Sequence, residues 1–410
     1  MREEVVVREF EPEKDGERVE ALERTCEVGP SGEMSLFTDL LGDPLSRVRR
    51  SPAFLMLVAE TTGTRRDIVG VVRGCIKTAA VGKKPHRSPS GAKHHTPVYT
   101  KLAYLLGLRV SPAHRRMGIG LNLVQRMEDW FRSKGAEYAY MATERDNEAS
   151  VRLFTGRCGY TMFRSPAILV NPVFAHHLPL QRGHRRRPAI AVVRLSPADA
   201  EAFYRLRLAT TEFFPRDIDA VLHNPLSLGT FLAVPASHPV AGAAGWSGAD
   251  SFLADSPESW AVLSVWNCKD VFRLEVRGAG WWQRGLAQVS RAVDRALPFL
   301  RLPSFPDIFR PFGLYLLYGI GGAGTEAAEM VRVLCRHAHN MAREGGCGVV
   351  AAEVAAEEPL RQGIPHWRRL SCAEDLWCVK RLAEDYSDGA VGDWTRAPPG
   401  KSIFVDPREF

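Results

Sequence analysis

The chain is 410 residues long, 45% hydrophobic and 25% charged, with a formal net charge of +7. That length and balance fit a globular protein of two or three domains and exclude a disordered, collagen-like or small disulfide-stapled chain. The eight cysteines are scattered without a Cys-x-x-Cys pair, which argues for reduced thiols and against a zinc site; the opening Met1-Arg2-Glu3-Glu4 lacks the apolar core of a signal peptide, and no apolar run approaches membrane-spanning length.

In chain order, Val5-Val6-Val7-Arg8-Glu9-Phe10 with Asp15 after it comes first, followed by the runs Ala53 to Glu60 and Asp67 to Lys77. The stretch from Gly82 to His95 is polar, prolyl and basic, too long for an ordinary hairpin loop, and is expected to be mobile; its histidines lack a matching cysteine pair and read as exposed. Tyr104 to Val110 is apolar and strand-length, and Arg115-Arg116-Met117-Gly118-Ile119-Gly120 leads from it into a run with Leu123, Val124, Met127, Trp130 and Phe131 at helical spacing. The loop therefore sits at a helix N-terminus, where unpaired amides and about half a positive charge suit a diphosphate without a metal. Gly118 and Gly120 let a backbone approach closely, Arg115 and Arg116 add cationic arms, and His114 adds a weaker donor. A further strand from Glu137 to Thr143 leads to Asn147-Glu148-Ala149-Ser150-Val151-Arg152-Leu153-Phe154, closing with Gly159-Tyr160.

This ordered pattern resembles the GNAT superfamily of acetyl-CoA-dependent N-acetyltransferases over residues 1 to about 180. The whole chain, including the closing Ser402 to Phe410, is similar more narrowly to the plant Hookless-type N-acetyltransferases, among them proteins proposed to acetylate histones and to regulate growth in the nucleus. The resemblance makes Val5 to Phe10 the family's first strand, with Asp15 opening the next helix, and the runs from Ala53 and Asp67 a hairpin of strands two and three. It implies that the backbone of Leu108, Arg109 and Val110 pairs with the pantetheine arm of acetyl-CoA. It implies also that Arg115, Arg116, Met117, Gly118, Ile119 and Gly120 hold the pyrophosphate, and that Asn147 and Phe154 line the far side of the groove, where strands four and five splay apart.

Family chemistry is direct attack of an amine on the acetyl carbonyl, with a backbone amide near the end of strand four steadying the oxyanion and no covalent enzyme intermediate. A lysine amine begins near pKa ~10.4, so a carboxylate or ordered water must take its proton. Strand four, Lys101 to Val110, carries no Asp or Glu; Phe154 stands where many relatives have a tyrosine acid, and the spacing from Phe154 to Gly159 is one residue longer than the commonest form. Glu144 is the surviving base candidate, weighed against a solvated strand-end carboxylate, with Asp146 second; Tyr160 reads as core, Cys158 as a buried thiol, and Tyr104 is left unassigned.

Leu180 to Pro188 reads as a linker with a charge run, either a nuclear-localisation or DNA-contact patch or a solvated connector. Beyond it the pattern repeats. Val5 to Arg8 with Asp15 recurs as Ala191 to Arg194 with Asp199, and Tyr104-Leu105-Leu106 recurs as Tyr315-Leu316-Leu317, followed by Gly319-Ile320-Gly321-Gly322-Ala323-Gly324 and a helix with Met330, Val333, Leu334 and His337. A short strand, Val349 to Val354, and a return run ending Leu376 to Val379 complete the copy. The glycines match a dinucleotide fingerprint, but Glu353 lies too far on for the ribose acid and too little chain remains for a doubly wound sheet. They read instead as a pyrophosphate loop without arginines, in a substrate-positioning or structural role.

The expected fold is thus α/β (α+β): tandem GNAT-like domains, each a mixed, mostly antiparallel sheet flanked by helices, with the second copy degenerate. The expected divisions are 1–180 for the acetyl-CoA domain, 181–188 for the basic linker, 189–385 for the second copy and 386–410 for a tail. The expected activity is acetyl transfer to a lysine amine, histones being the first substrate class, in a nuclear setting with cytoplasm as a second compartment, without a metal or membrane. Net positive charge favours acidic partners such as cofactor phosphates, nucleic acid or chromatin, while a basic histone tail would need local acidity that Glu27, Glu144 and Asp146 alone do not supply. The competing readings are a CoA-binding regulatory protein without turnover and a small-amine acetyltransferase.

Overall fold

The computed structural model describes residues 4–26, 34–63, 66–87, 93–180, 189–242, 245–384 and 393–410. The first part of the chain forms β1 (Val5–Glu9), α1 (Pro12–Glu23), β2 (Ser35–Asp39), β3 (Ala53–Thr61), β4 (Ile68–Arg87), β5 (Lys93–Val110), α2 (Ile119–Ser133), β6 (Tyr138–Glu144), α3 (Glu148–Val151), β7 (Thr161–Arg164) and β8 (Ala167–Pro172). After the linker come β9 (Ile190–Leu195), α4 (Pro197–Leu208), α5 (Ile218–Leu222), β10 (Ser227–Pro235), α6 (Ala249–Ala254), β11 (Trp260–Asn267), β12 (Arg273–Arg277) and α7 (Trp281–Ala296). The last elements are β13 (Leu314–Ala323), α8 (Ala327–Glu344), β14 (Val349–Val354) and β15 (Asp375–Arg381).

The strands make two mixed sheets and one small ribbon, β12–β2, that ties the two parts of the chain together. The first sheet runs β1-β3-β4-β5-β6-β15-β7 and the second β8-β14-β13-β11-β10-β9. Each contains one parallel pair, β5 with β6 and β13 with β14, and is otherwise antiparallel. The expected tandem of related mixed α/β sheets is therefore present.

Its strands are exchanged, however. The run ending Leu376 to Val379, read as the close of the second copy, is β15, and it enters the first sheet between β6 and β7. In return β8, from before the linker, forms the edge of the second sheet against β14. The divisions at 180 and 189 therefore separate two stretches of chain, while each sheet draws on both. An apolar strand such as Leu376-Trp377-Cys378-Val379, buried on both faces, states only that it is central to a sheet.

One helix covers the outer face of each sheet. Leu123, Val124, Met127 and Phe131 of α2 pack on Leu57, Val72, Ala103, Leu105, Ala139 and Met141. Met330, Val331, Leu334 and Ala338 of α8 pack on Phe231, Leu263, Leu317 and Val350. Toward the middle, neighbouring residues divide between the sheets: Phe213 and Val405 pack with Tyr138, Tyr140 and Trp377 of the first, Phe214 and Phe404 with Leu232, Leu316 and Tyr318 of the second. The described part of the segment read as a tail, 393–410, is thus wedged between the two sheets.

Three local expectations change. The stretch from Gly82 to His95 is not simply a loop: β4 and β5 stay paired out to Arg87↔Lys93, and only 88–92 fall outside the described residues. Gly319 to Gly324 is not a phosphate loop, since β13 continues through Ala323, paired with β11 on both sides of a bulge at Gly319, φ +60°. Its glycines are there for space: a Cβ on Gly319 would lie 2.6 Å from the Tyr204 hydroxyl, and one on Gly322 2.8 Å from the Trp260 carbonyl. The residue added between Phe154 and Gly159 is absorbed by a π-type turn over Arg152–Arg157, closed by Cys158 N–H donating to Leu153 O at 3.0 Å. The linker residues 181–188, Glu27, and 386–392 of the expected tail lie outside the described residues.

Candidate active site

β5 and β6 run in parallel register from Leu102↔Tyr138 to Leu105↔Met141, where their pairing stops. The cause lies in β5. Gly107 adopts φ +61°, and the β4–β5 register shifts between Val71 and Arg73, so a bulge turns the strand away from its neighbour. Any Cβ at residue 107 would stand 2.8 Å from Arg73 Nη1. Arg73 is itself buried and fixed, donating to Pro44 O at 2.6 Å and Glu23 Oε1 at 2.8 Å. Burial would raise the Glu23 carboxyl, but Arg73 and Arg109 outweigh it and hold the pKa below its ordinary value. Leu108, Arg109 and Val110 follow the bulge, half-buried, and among the described residues no strand pairs with them on the side facing β6. That is an open backbone edge.

The loop beyond leads to α2 through Gly118 at φ +84°. The first helical bond is Asn122 N–H to Gly118 O at 3.0 Å, so the amides of Ile119, Gly120 and Leu121 have no acceptor within the helix. Arg115, Arg116, Met117 and Gly118 are exposed, Ile119 is buried under the helix, and Gly120 faces Leu153 and Val110 with space that a Cβ would occupy at 3.5 Å. Among the described residues no carboxylate pairs with Arg115 or Arg116. An exposed helix start flanked by unpaired guanidinium groups fits a pyrophosphate, and the open β5 edge fits an amide-bearing arm; the loop and edge thus fit the co-substrate expected from the sequence.

Across the splay, Asn147 caps α3, its Oδ1 accepting from Ser150 N–H at 3.2 Å. Phe154 is buried in the core beneath α2, edge-on to Tyr160 with ring centroids 5.2 Å apart. Cys158 is buried too, and burial foremost pushes its thiol up to about 11, so it is no thiolate. Glu144 ends β6, half-buried, its pKa raised by burial and by Asp146.

The sequence reasoning missed the groups that surround Glu144. Asp375, first residue of β15, stands in register with Glu144. Strand alternation puts Asp375, Trp377, Tyr140 and Glu144 on the sheet face away from α2. Burial, followed by the charge of Glu144, lifts Asp375 to about 6. Glu353, near the end of β14 in the other sheet, accepts from Trp377 Nε1 at 3.0 Å, and burial and then Asp375 raise its pKa strongly. Tyr104 is stacked on Tyr140 with centroids 4.5 Å apart, and burial, reinforced by Glu409, Glu353 and Asp375, holds its phenol protonated. Glu409 itself is pinned by Lys77 Nζ at 2.5 Å and by the Tyr140 hydroxyl. Carboxylates from both sheets thus converge near the splay, on the same side as the buried phenol of Tyr104. Their signal in the sequence was an acidic residue at the tip of an apolar strand, Glu353 after Val349 to Ala352 and Asp375 before Leu376. Only the strand exchange gives it meaning.

Comparison with known proteins agrees with this architecture. A profile described as the acetyltransferase (GNAT) family matches residues 17–160. The chain is 62% identical over 409 residues, 99% of its own length and 100% of the relative's, to "Probable N-acetyltransferase HLS1" of Arabidopsis thaliana. It is 43% identical to "Acetyl transferase GW6a" of Oryza sativa subsp. japonica, covering 99% of this chain and 97% of that one. Among solved structures, N-myristoyltransferase of Saccharomyces cerevisiae with bound myristoyl-CoA superposes with a TM-score of 0.52 at 9% identity, over 92% of this chain and 79% of that one, a likeness of fold.

Proposed function

Since the chain belongs to the GNAT family of acetyltransferases, we propose that it transfers acetyl from acetyl-CoA directly to a lysine amine of a protein substrate, with the Asp375–Glu353 carboxylates taking the amine proton. The carrying observation is the convergence of Glu144, Asp375 and Glu353 at the β5–β6 splay, from strands of both sheets. This acidity meets a cationic acceptor, despite the chain's net charge of +7.

The chain's groups divide the work. Arg115, Arg116 and the first amides of α2 hold the pyrophosphate, and the edge of Leu108 to Val110 aligns the pantetheine arm. A backbone amide of the bulged segment receives the charge that develops on the carbonyl oxygen. Asp375 and Glu353 repel one another, so at neutral pH the pair holds one proton more readily than two isolated carboxylates would and keeps one acceptor site near Tyr104. Glu144 adds negative charge at the same mouth. The phenol of Tyr104 serves as proton donor to the departing sulfur, the place Phe154 leaves without a hydroxyl.

Histone tails are the proposed acceptor, with a nuclear location and chromatin contact through the basic linker, a reading supported by the resemblance to the Hookless-type proteins and by the acidic cluster; regulation of plant growth is proposed on the same resemblance. The alternative, a CoA-binding regulator without turnover, rests on the absence of a carboxylate in strand four and of a hydroxyl on Phe154; Glu353 of β14 and Asp375 of β15 favour turnover over it.

The test is to titrate acetyl-CoA into the full chain and follow transfer to histone-tail peptides and to small amines, with Gly118→Asp and Gly120→Asp as binding controls and Asp375→Asn and Glu353→Gln as turnover controls. Transfer to peptide lysine that is lost in both pairs, with cofactor binding kept only in the second, supports the proposal. Tight binding with no transfer to any amine sinks it in favour of the regulator, and preference for small amines removes the protein substrate.

A further inference from the structure

The β5 side of the splay carries more guanidinium than carboxylate. Arg73, 2% exposed, donates from Nε to Pro44 O at 2.6 Å and from Nη1 to Glu23 Oε1 at 2.8 Å, while its Nη2 is buried without a hydrogen-bond partner. Arg109 donates from Nη1 to Leu108 O at 3.2 Å; its Nε is buried without a hydrogen bond, and among the described residues only Glu23 Oε2, 3.6 Å away, pairs with it. One carboxylate is thus shared by two guanidinium groups. Arg47 adds a third: it lies over the Phe272 ring and donates from Nε to the main-chain oxygen of Phe410 at 3.3 Å, and no carboxylate side chain pairs with it among the described residues. Burial holds Arg47 below its ordinary pKa; Tyr104 opposes that shift, and Arg73 and Arg109 reinforce it. Charge withdrawn from water is costly unless opposite charge and hydrogen bonds complete it. This cluster is short of an anion.

Its place in the sheet says which molecule supplies one. Leu108 and Val110 pack with the core under α2, so strand alternation sets Arg109 on the opposite face of β5. That is also the face of Glu144 and Asp375. The pyrophosphate site at the start of α2 belongs to the other face, which leaves the acceptor to bring the missing charge. Because β5 and β6 part beyond Leu105↔Met141, Arg109 ends one side of the opening and Glu144 the other. Paired strands stand ~4.8 Å apart, so across a splay the acceptor's amine and its anion must be separated by more than that. A lysine Nζ and the carboxylate of a neighbouring side chain meet this condition.

We propose that Arg109, backed by Arg73 and flanked by Arg47, binds a carboxylate of the acceptor, so that the lysine acetylated is one with an acidic residue beside it in its chain. The inference rests on the acetyl-transfer reading above and narrows its acceptor. The amine goes to the acidic side of the opening and the carboxylate to the cationic side, whereas a lysine flanked by basic residues meets repulsion from the arginines.

The full chain and acetyl-CoA are given lysine peptides that differ only in the residues flanking the lysine: aspartate, asparagine or arginine. The aspartate peptide is expected to show a kcat/KM at least roughly tenfold above the asparagine peptide, with the arginine peptide below both. Arg109→Gln and Arg47→Gln should each bring the aspartate-to-asparagine ratio close to one, and Arg109→Lys should keep part of it. A ratio taken on one protein cancels any change in folding or cofactor binding. If the Arg variants slow all peptides equally and the preference persists, these arginines serve the cofactor or the fold and the proposal is overturned. Equal use of the aspartate and asparagine peptides by the parent chain overturns it too, with acetyl transfer to lysine still standing; no transfer to any peptide overturns both. Free lysine used as well as the aspartate peptide would assign the carboxylate to a small amino acid and remove the neighbouring side chain.

Discussion

Asp375 faces Glu144 across neighbouring antiparallel strands, although one residue ends a strand in the first part of the chain and the other begins a strand close to its end. Burial and the like charge of Glu144 lift Asp375 to about 6, so it titrates where the rate of an amine transfer is measured. The rate is expected to fall as pH drops through about 6, as the acceptor takes up its proton, and Asp375→Asn should remove that limb while lowering the rate by about 100-fold or more. Stability should move the other way. Because the folded pKa exceeds the unfolded value of ~3.9, the folded chain binds the proton more strongly and loses stability as pH rises from about 4 to about 6. At pH 8 the neutral amide of Asp375→Asn escapes that loss, so the variant is expected to gain about 1–3 kcal/mol in denaturant unfolding. A variant that is less active and also less stable would assign Asp375 a structural role.

The residues proposed to bind acetyl-CoA form a local pattern in the sequence. A strand, two glycines, two arginines and a helix follow one another directly, and Asn147 to Tyr160 comes one strand later. The proposed proton acceptors do not. Glu353 and Asp375 come from separate strands, one in each sheet, and nothing in local pattern says that β15 crosses to the first sheet while β8 crosses to the second. The repeat was correctly read, and the same reading placed β15 with the wrong partners. Gly319 to Gly324 misled for a related reason: glycines that admit a cofactor and glycines that admit Tyr204 or a neighbouring carbonyl look alike in sequence.

Arg115 and Arg116 carry no internal partner among the described residues, so reversing their charge should cost little stability. Arg115→Glu and Arg116→Glu are each expected to raise the KM for acetyl-CoA by roughly tenfold or more, the worth of a charge-assisted hydrogen bond. The deficit should shrink in high salt. Parallel melting curves check that the fold is intact, and a KM that stays at the parental value would remove these arginines from the cofactor site.

Gly107 offers a test of the splay itself. Any side chain there meets both a left-handed backbone, at about 1–2 kcal/mol, and the fixed Arg73 guanidinium 2.8 Å from the Cβ position. Gly107→Ala is expected to straighten β5 toward β6 and so weaken acetyl-CoA binding more than it lowers the melting temperature. Isothermal titration against acetyl-CoA compared with thermal melting separates the two. Equal losses, accounted for by unfolding alone, would mean that the bulge is not what opens the groove.

Lys77 and Glu409 form a buried ion pair at 2.5 Å, with Asp406 Oδ2 3.5 Å from the same ammonium and Arg408 joining Asp406 to Asp217. The pair ties the segment carrying Phe404 into the space between the sheets. Burial works against the Lys77 ammonium, but Glu409 and Asp406 outweigh it and raise its pKa, so its contribution to stability is complete below the unfolded value of ~10.4 and lost as pH rises through the higher folded value. Glu409→Ala removes the nearer partner and should cost about 3–5 kcal/mol in denaturant unfolding. Lys77→Met combined with Glu409→Gln, which leaves no unpaired charge at that contact, should cost much less than the sum of the single changes. Additive losses would mean that Asp406 and Tyr140 already satisfy each group alone. Because Glu409 also touches Tyr140, which stacks on Tyr104, the Glu409→Ala chain is expected to lose transfer activity even at temperatures where it remains folded.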